Sequence, residues 1–358
     1  MTDSEGVVRD LVEKVKKSAG IDTRFVVLDF SAKKKGTMLQ IDFTVSNAFV
    51  AKAVHQFFEK HRSTLGSSVT HTVRILERSS RNEQVSIICN VSVAPVRHAP
   101  GQRSEQTTQM LLGETADLLE TGVNGWLRVR NDLDGYVGWI ARNQVVIPTK
   151  KELQSWRKSL KLTAKEFSLT LREEPSKNSD AAGELLQGTY LPKIRVRSGW
   201  TSVRRPDGRE CWGPSASFVK PVRPTQSVTS SEIVAFAKRF LGISYVWGGR
   251  SVKGFDCSGF TQTVFRNHGI ELPRDASLQW RCGHHAGKDL KELVEGDLLF
   301  FSAREHRITH VAIYLGVDGM LIHSSGYVRI SSLDPTHELF EEDLGRTFVG
   351  ARRLGEVK

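Results

Sequence analysis

A multidomain α+β chain is what the sequence predicts, from three observations: a length of 358 residues, a glycine and tryptophan pattern that recurs within residues 92–222, and alternating helical and strand periodicity on both sides of it. A chain of this length exceeds one small core and divides into domains of ordinary size. The expected order is a small α+β domain at 1–91, two small β-barrels at 92–148 and 149–224, and a larger α+β domain at 225–358.

In the first segment, Val7 to Ala19 places apolar residues at helical spacing, 24–30 and 38–45 alternate or run as strands, 50–58 returns to helical spacing, and 70–76 and 84–93 read as strands. Two helices on an antiparallel sheet are expected. Lys33-Lys34-Lys35 before Gly36 reads as a solvated hairpin turn. The segment carries no catalytic constellation, which leaves it formation of a homodimer or shaping of a site from outside.

The repeat lays Gly113, Gly125-Trp126, Val129, Asp134-Gly135 and Trp139 over Gly188, Gly199-Trp200, Val203, Asp207-Gly208 and Trp212. Short strands separated by turn pairs at this spacing predict two small barrels. The copies differ at one turn: the first has Tyr136 where the second has Arg209, Glu210 and Cys211.

The net charge is +11, but residues 225–358 hold 16 basic and 16 acidic side chains, so the excess lies upstream. No nucleic-acid motif accompanies it, and a solvated basic face is expected rather than a nucleic-acid partner. Four cysteines at 89, 211, 257 and 282 form no disulfide framework and suit a reducing compartment. The first twenty residues include Asp3, Glu5, Asp10 and Glu13 and no apolar core of a signal peptide, and no stretch approaches the ~18 apolar residues of a membrane span. With Met1 as the start, the expected location is the cytoplasm.

The chemistry concentrates in the last segment. Phe255-Asp256-Cys257-Ser258-Gly259-Phe260 is followed by apolar residues at 260, 264 and 265, a spacing that puts Cys257 in the first turn of a helix. Helix dipole and free N–H groups there favour a thiolate. Segments 296–301, 309–316 and 320–325 read as strands. On the second, His310, Ala312 and Tyr314 share one face, and this small-residue face leaves His310 room beside a helix terminus. His323 on the following strand stands where a group orienting His310 belongs. A lone cysteine or histidine is usually structural, and here order and spacing carry the inference. His306 is a weaker candidate base because no strand pattern surrounds it. His306 with His310, or Cys282 with His284 and His285, could hold zinc only on a helix or a shaped loop. No metal or cofactor is expected.

Leu241-Gly242-Ile243-Ser244-Tyr245-Val246-Trp247-Gly248-Gly249, the cysteine block, Leu272-Pro273-Arg274-Asp275 with Gln279, Gly296 to Phe301, His310 to Gly316 and Ile322-His323 occur in this order. On these six blocks, residues 231–354 resemble the NlpC family of papain-like cell-wall cysteine peptidases. The resemblance implies a papain-like α+β fold with Cys257 as nucleophile, His310 as base and then acid, His323 as its orienting partner and Tyr245 at the oxyanion. The two barrels resemble bacterial SH3-like domains, which accompany such peptidases. In relatives of that architecture a barrel tyrosine and two carboxylates hold the free amino group of a terminal L-alanine, and Tyr136, Glu105 and Asp275 match them. Asp256 and Ser258 complete the expected substrate contacts. Ala276 replaces a serine of the relatives, which leaves a contact to the substrate's glutamate to Ser258 or Ser277.

The implied activity is hydrolysis of the γ-D-glutamyl to diamino acid bond in peptidoglycan stem peptides bearing a free N-terminal L-Ala, as in muropeptide recycling. An amidase or acyl transferase on the same fold is one alternative. A binding module for wall fragments or an anionic partner, with a vestigial site, is the other.

Overall fold

The computed structural model describes residues 2–65, 68–76, 85–222, 228–303, 307–355 and 357. The chain divides into two compact units, one of Met1–Ile88, Arg97–Ser104 and Thr115–Pro148, the other of Cys89–Val96, Glu105–Glu114 and Thr149–Lys358.

In the first unit, helix Thr2–Ala19 buries Val8, Leu11, Val12 and Val15, one stripe at helical spacing. They pack with Val50, Val54, Phe57 and Phe58 of helix Ala48–Lys60 and with Ile41, Phe43 and Val45 of the sheet. Asn47 starts the second helix by accepting the Val50 N–H at 2.9 Å. Strands Leu28–Lys35 and Met38–Val45 form an antiparallel hairpin, but Val69–Ile75 runs parallel to Met38–Val45. The expected all-antiparallel sheet is therefore corrected. A helix lies between the second and third strands, and such a crossover returns the chain in the same direction. Lys33 and Lys34 belong to the first strand, and the turn falls at Gly36 with φ 61°. The 84–93 segment also differs: strand Ser86–Cys89 pairs with Thr115–Thr121 of the first barrel rather than with the N-terminal sheet.

In the second unit, the later repeat copy forms seven strands in the order 181–186, 168–172, 210–214, 200–204, 191–197, 161–164, 218–219. Helix Lys150–Lys158 precedes them, started by a capping box between Thr149 and Glu152. The C-terminal region is a six-stranded antiparallel sheet in the order 284–287, 348–353, 298–301, 310–314, 320–325, 327–332. Helix Cys257–Arg266 buries Phe260, Val264 and Phe265 in one core with Leu298, Phe300, Val311, Ile313 and Ile322, each such side chain contributing about 1.5–3 kcal/mol. Leu299, Phe301, Ala312, Tyr314 and Leu321 form a second core. The helix thus packs on the Val311 and Ile313 face of the strand. Ala312 and Tyr314 of the opposite face lie in the second core. Among the described residues, no helix is long and apolar enough to cross a membrane.

Candidate active site

Cys257 opens its helix because Asp256 caps it, the carboxylate accepting the Gly259 N–H at 2.7 Å. The same carboxylate accepts the Gly248 N–H at 2.9 Å and pairs with Arg274 through Nη1 at 2.9 Å and Nη2 at 2.5 Å. Arg274, 1% exposed, also donates to Ser258 Oγ at 3.1 Å and to Thr108 Oγ1 at 3.1 Å. Asp256 and Ser258, expected at the substrate, are buried and bonded to Arg274. Their hydrogen bonds hold the helix start in place.

The Cys257 sulfur is 9% exposed as a residue and takes backbone N–H groups from Val311 and Ser258. Val311 follows His310, so helix start and strand meet beside the two candidate side chains. Burial, and then the Asp256 charge, push the thiol up to about 12, outweighing those N–H groups and Arg274. Dehydration thus opposes the thiolate that the helix terminus favours.

His310 starts strand His310–Tyr314, and its Nε2 lies 2.7 Å from His323 Nδ1 on strand Met320–Ser325. Dehydration and the neighbouring His323 pull His310 down to about 3. Dehydration and Arg329 lower His323 to about 3 as well. Both rings are neutral at neutral pH. A neutral imidazole suits general-base activation during attack rather than a standing ion pair. Tyr245 is half-buried and bridges to Phe255 in the ribbon before the nucleophile. Burial, and then Cys257 and Asp256, raise its hydroxyl well above the usual range, so it stays an O–H donor.

The remaining candidates are placed as follows. Glu105 is exposed and accepts the Trp247 indole N–H at 2.9 Å, while Gln106 donates to the Trp247 carbonyl at 2.7 Å. Asp275, half-exposed, precedes the short helix Ala276–Gln279 without capping it. Tyr136 belongs to the other unit, where it is buried with its ring edge-on to Phe25, centroids 5.4 Å apart. His306 lies outside the described residues. Among the described residues, no three His, Cys, Asp or Glu side chains are gathered where a metal ion could sit.

Sequence reasoning passed over Arg274, which it quoted in a block but gave no role, and the partners of His323. An arginine directly after Pro273, with an acidic residue before the nucleophile, is the available signal. For Ser331 and Glu341, which continue from His323, no local signal existed.

A model of the NlpC/P60 family matches residues 242–346, and a model described as the bacterial dipeptidyl-peptidase Sh3 domain matches residues 96–145. The gamma-D-glutamyl-L-lysine dipeptidyl-peptidase of Bacillus cereus is 31% identical over 259 residues, covering 69% of this chain and 74% of that protein. The Bacillus subtilis protein of the same name is 33% identical over 252 residues, covering 66% and 78%. The crystal structure of an NlpC/P60 family protein from Bacillus cereus superposes with a TM-score of 0.64 at 25% identity, covering 75% of this chain and 99% of that one. With identities above 30% over about three quarters of both relatives, the chain belongs to the NlpC/P60 family and is a cysteine peptidase.

Proposed function

We propose that the chain hydrolyses the γ-D-glutamyl bond to lysine or another diamino acid in stem peptides with a free N-terminal L-alanine. The observation that carries the reading is the 2.7 Å bond between His310 Nε2 and His323 Nδ1 at the strand whose backbone meets the Cys257 sulfur. The names of the relatives supply the bond class.

The Cys257 thiol gives its proton to His310 Nδ1 as the sulfur attacks the γ-carbonyl. The Tyr245 hydroxyl and backbone N–H groups at the helix start donate to the developing oxyanion. His310 then protonates the departing amine of the diamino acid, and the C–N bond breaks, leaving an acyl-enzyme. Water, deprotonated by His310, attacks the thioester, and the restored Cys257 thiol leaves with release of the dipeptide. Asp256 and Arg274 position the nucleophile. Glu105 and Asp275 are the proposed carboxylates for the substrate ammonium, a charge-assisted contact that favours unblocked peptides. Trp247 supports this by holding Glu105 through its indole N–H. A role in a reducing compartment, in recycling of wall fragments, is part of the proposal, and four free cysteines support it.

The test is mass spectrometry of L-Ala-γ-D-Glu-L-Lys and its diaminopimelate analogue after incubation with wild type and Cys257→Ala. The expected result is L-Ala-D-Glu plus the free diamino acid from wild type alone. Intact peptides after incubation with folded, reduced wild type would remove the reading.

A further inference from the structure

The hydrogen bonds of the site continue beyond His323. Its Nε2 lies 2.9 Å from Ser331 Oγ on strand Tyr327–Ser332, and Ser331 bonds the Glu341 carboxylate. Arg329 clasps that carboxylate through Nη1 at 2.5 Å and Nη2 at 3.0 Å. His323 and Ser331 are fully buried, so each bond between them excludes water as a substitute.

The direction of every proton in this chain follows from its last member. An ionised carboxylate has no proton to give, so Ser331 donates its hydroxyl hydrogen to Glu341. The serine oxygen is then an acceptor, and His323 donates to it from Nε2. A neutral imidazole protonated at Nε2 is bare at Nδ1. Bare Nδ1 of His323 accepts, so His310 donates from Nε2 and is itself bare at Nδ1. We propose that Glu341, acting through Ser331 and His323, is a positioning residue that fixes the tautomer of His310 and leaves its Nδ1 lone pair free to take the thiol proton. Reversing the chain would put a proton on Nδ1, and a protonated nitrogen cannot take one from Cys257. The depressed basicity of both rings keeps them neutral, the condition under which tautomer choice matters. After the thiol proton arrives, His310 carries protons on both nitrogens and keeps its Nε2 donor bond to His323.

The proposal rests on the reading of Cys257 and His310 as nucleophile and base, but the tautomers can be read without substrate. Nitrogen-15 NMR of the full chain, with His310 and His323 assigned by substitution, reports which ring nitrogens are protonated. Both rings are expected to show protonated Nε2 and unprotonated Nδ1 in the wild type. Ser331→Ala, which removes the acceptor, is expected to move protons onto Nδ1 of both rings and to lower kcat by about 10- to 100-fold with KM little changed, by analogy with the range for outer-shell partners of metal-ligating histidines. Glu341→Gln, at a partly exposed position and so a safe fold, is expected to shift the same signals part of the way and lower kcat less. Arg329→Gln removes the cation but not the acceptor and is expected to keep the wild-type tautomers. Wild-type rings protonated at Nδ1, or unchanged ring signals and kcat in both Ser331→Ala and Glu341→Gln, would overturn the proposal. Should the wild type cleave no stem peptide, the substrate reading falls, and the ring signals still decide this one.

Discussion

Asp256 does three things with one carboxylate: it starts the nucleophile helix, ties down the Gly248 backbone and neutralises Arg274. Removing it takes the Asp256 carboxylate from a guanidinium that is 1% exposed. Asp256→Ala is therefore expected to lower stability by about 3–5 kcal/mol in urea denaturation, and a loss under about 1 kcal/mol would show that water reaches Arg274 in its place. The histidine pair sets a second expectation. Both rings fall to about 3 in the folded chain, against about 6.5 unfolded. The unfolded state thus binds more protons between those values, and this contribution to stability is complete above about pH 6.5 and lost as pH falls toward 3. Melting temperatures at pH 7 and pH 5 are expected to differ more for wild type than for His323→Asn, and equal differences would contradict it. At this scale the sequence named Cys257, His310 and His323 from order and context. It could not name Arg274, Ser331 or Glu341 as their partners, because which side chains meet depends on strand register and helix seating, which no local pattern encodes.

The helix that begins at Cys257 is seated against backbone. A methyl at Gly259 would lie 2.1 Å from the Gly249 carbonyl oxygen, and one at Gly249 would lie 2.4 Å from that of Gly254. Neither neighbour is a flexible side-chain end, so the helix start would have to lift away from the ribbon. Gly259→Ala is expected to abolish peptide cleavage and to lower the melting temperature, and near wild-type turnover would mean the seating is not needed. The capping box at Thr229 is a milder feature: Thr229→Ala is expected to cost about 1 kcal/mol by denaturant titration. Periodicity located the strands at 310–314 and 320–325 and the helix at 257–266. It did not give the direction of Val69–Ile75, since an alternating pattern reads the same in parallel and antiparallel pairing and the connection decides.

At the scale of the whole molecule, strand Gln106–Leu111 and the nucleophile region lie in one compact unit. Glu114 is buried between Arg250 and Arg266, the latter at 3.0 Å, and these cations hold its carboxyl below the usual range despite burial. Gln109 receives the Arg250 backbone N–H at 3.1 Å and its side-chain Nε at 2.8 Å. Hydrogen exchange is expected to show amides of 106–111 and 257–266 opening together, with Glu114→Ala accelerating both by removing the carboxylate that Arg250 and Arg266 share. Acceleration confined to 106–111 would show that the two open separately. The glycine and tryptophan repeat made the barrels legible from sequence alone. These ties between distant segments were not, because each joins residues more than 130 positions apart that share no pattern. Thr108 carries a consequence for anyone recombining these modules. Its hydroxyl bonds the same arginine that neutralises the cap of Cys257, so the barrel strand is not a detachable cassette. A chimaera that takes residues 228–358 from this chain and its barrels from elsewhere would inherit a nucleophile whose support had been left behind, unless the donor strand brought its own hydroxyl to that guanidinium.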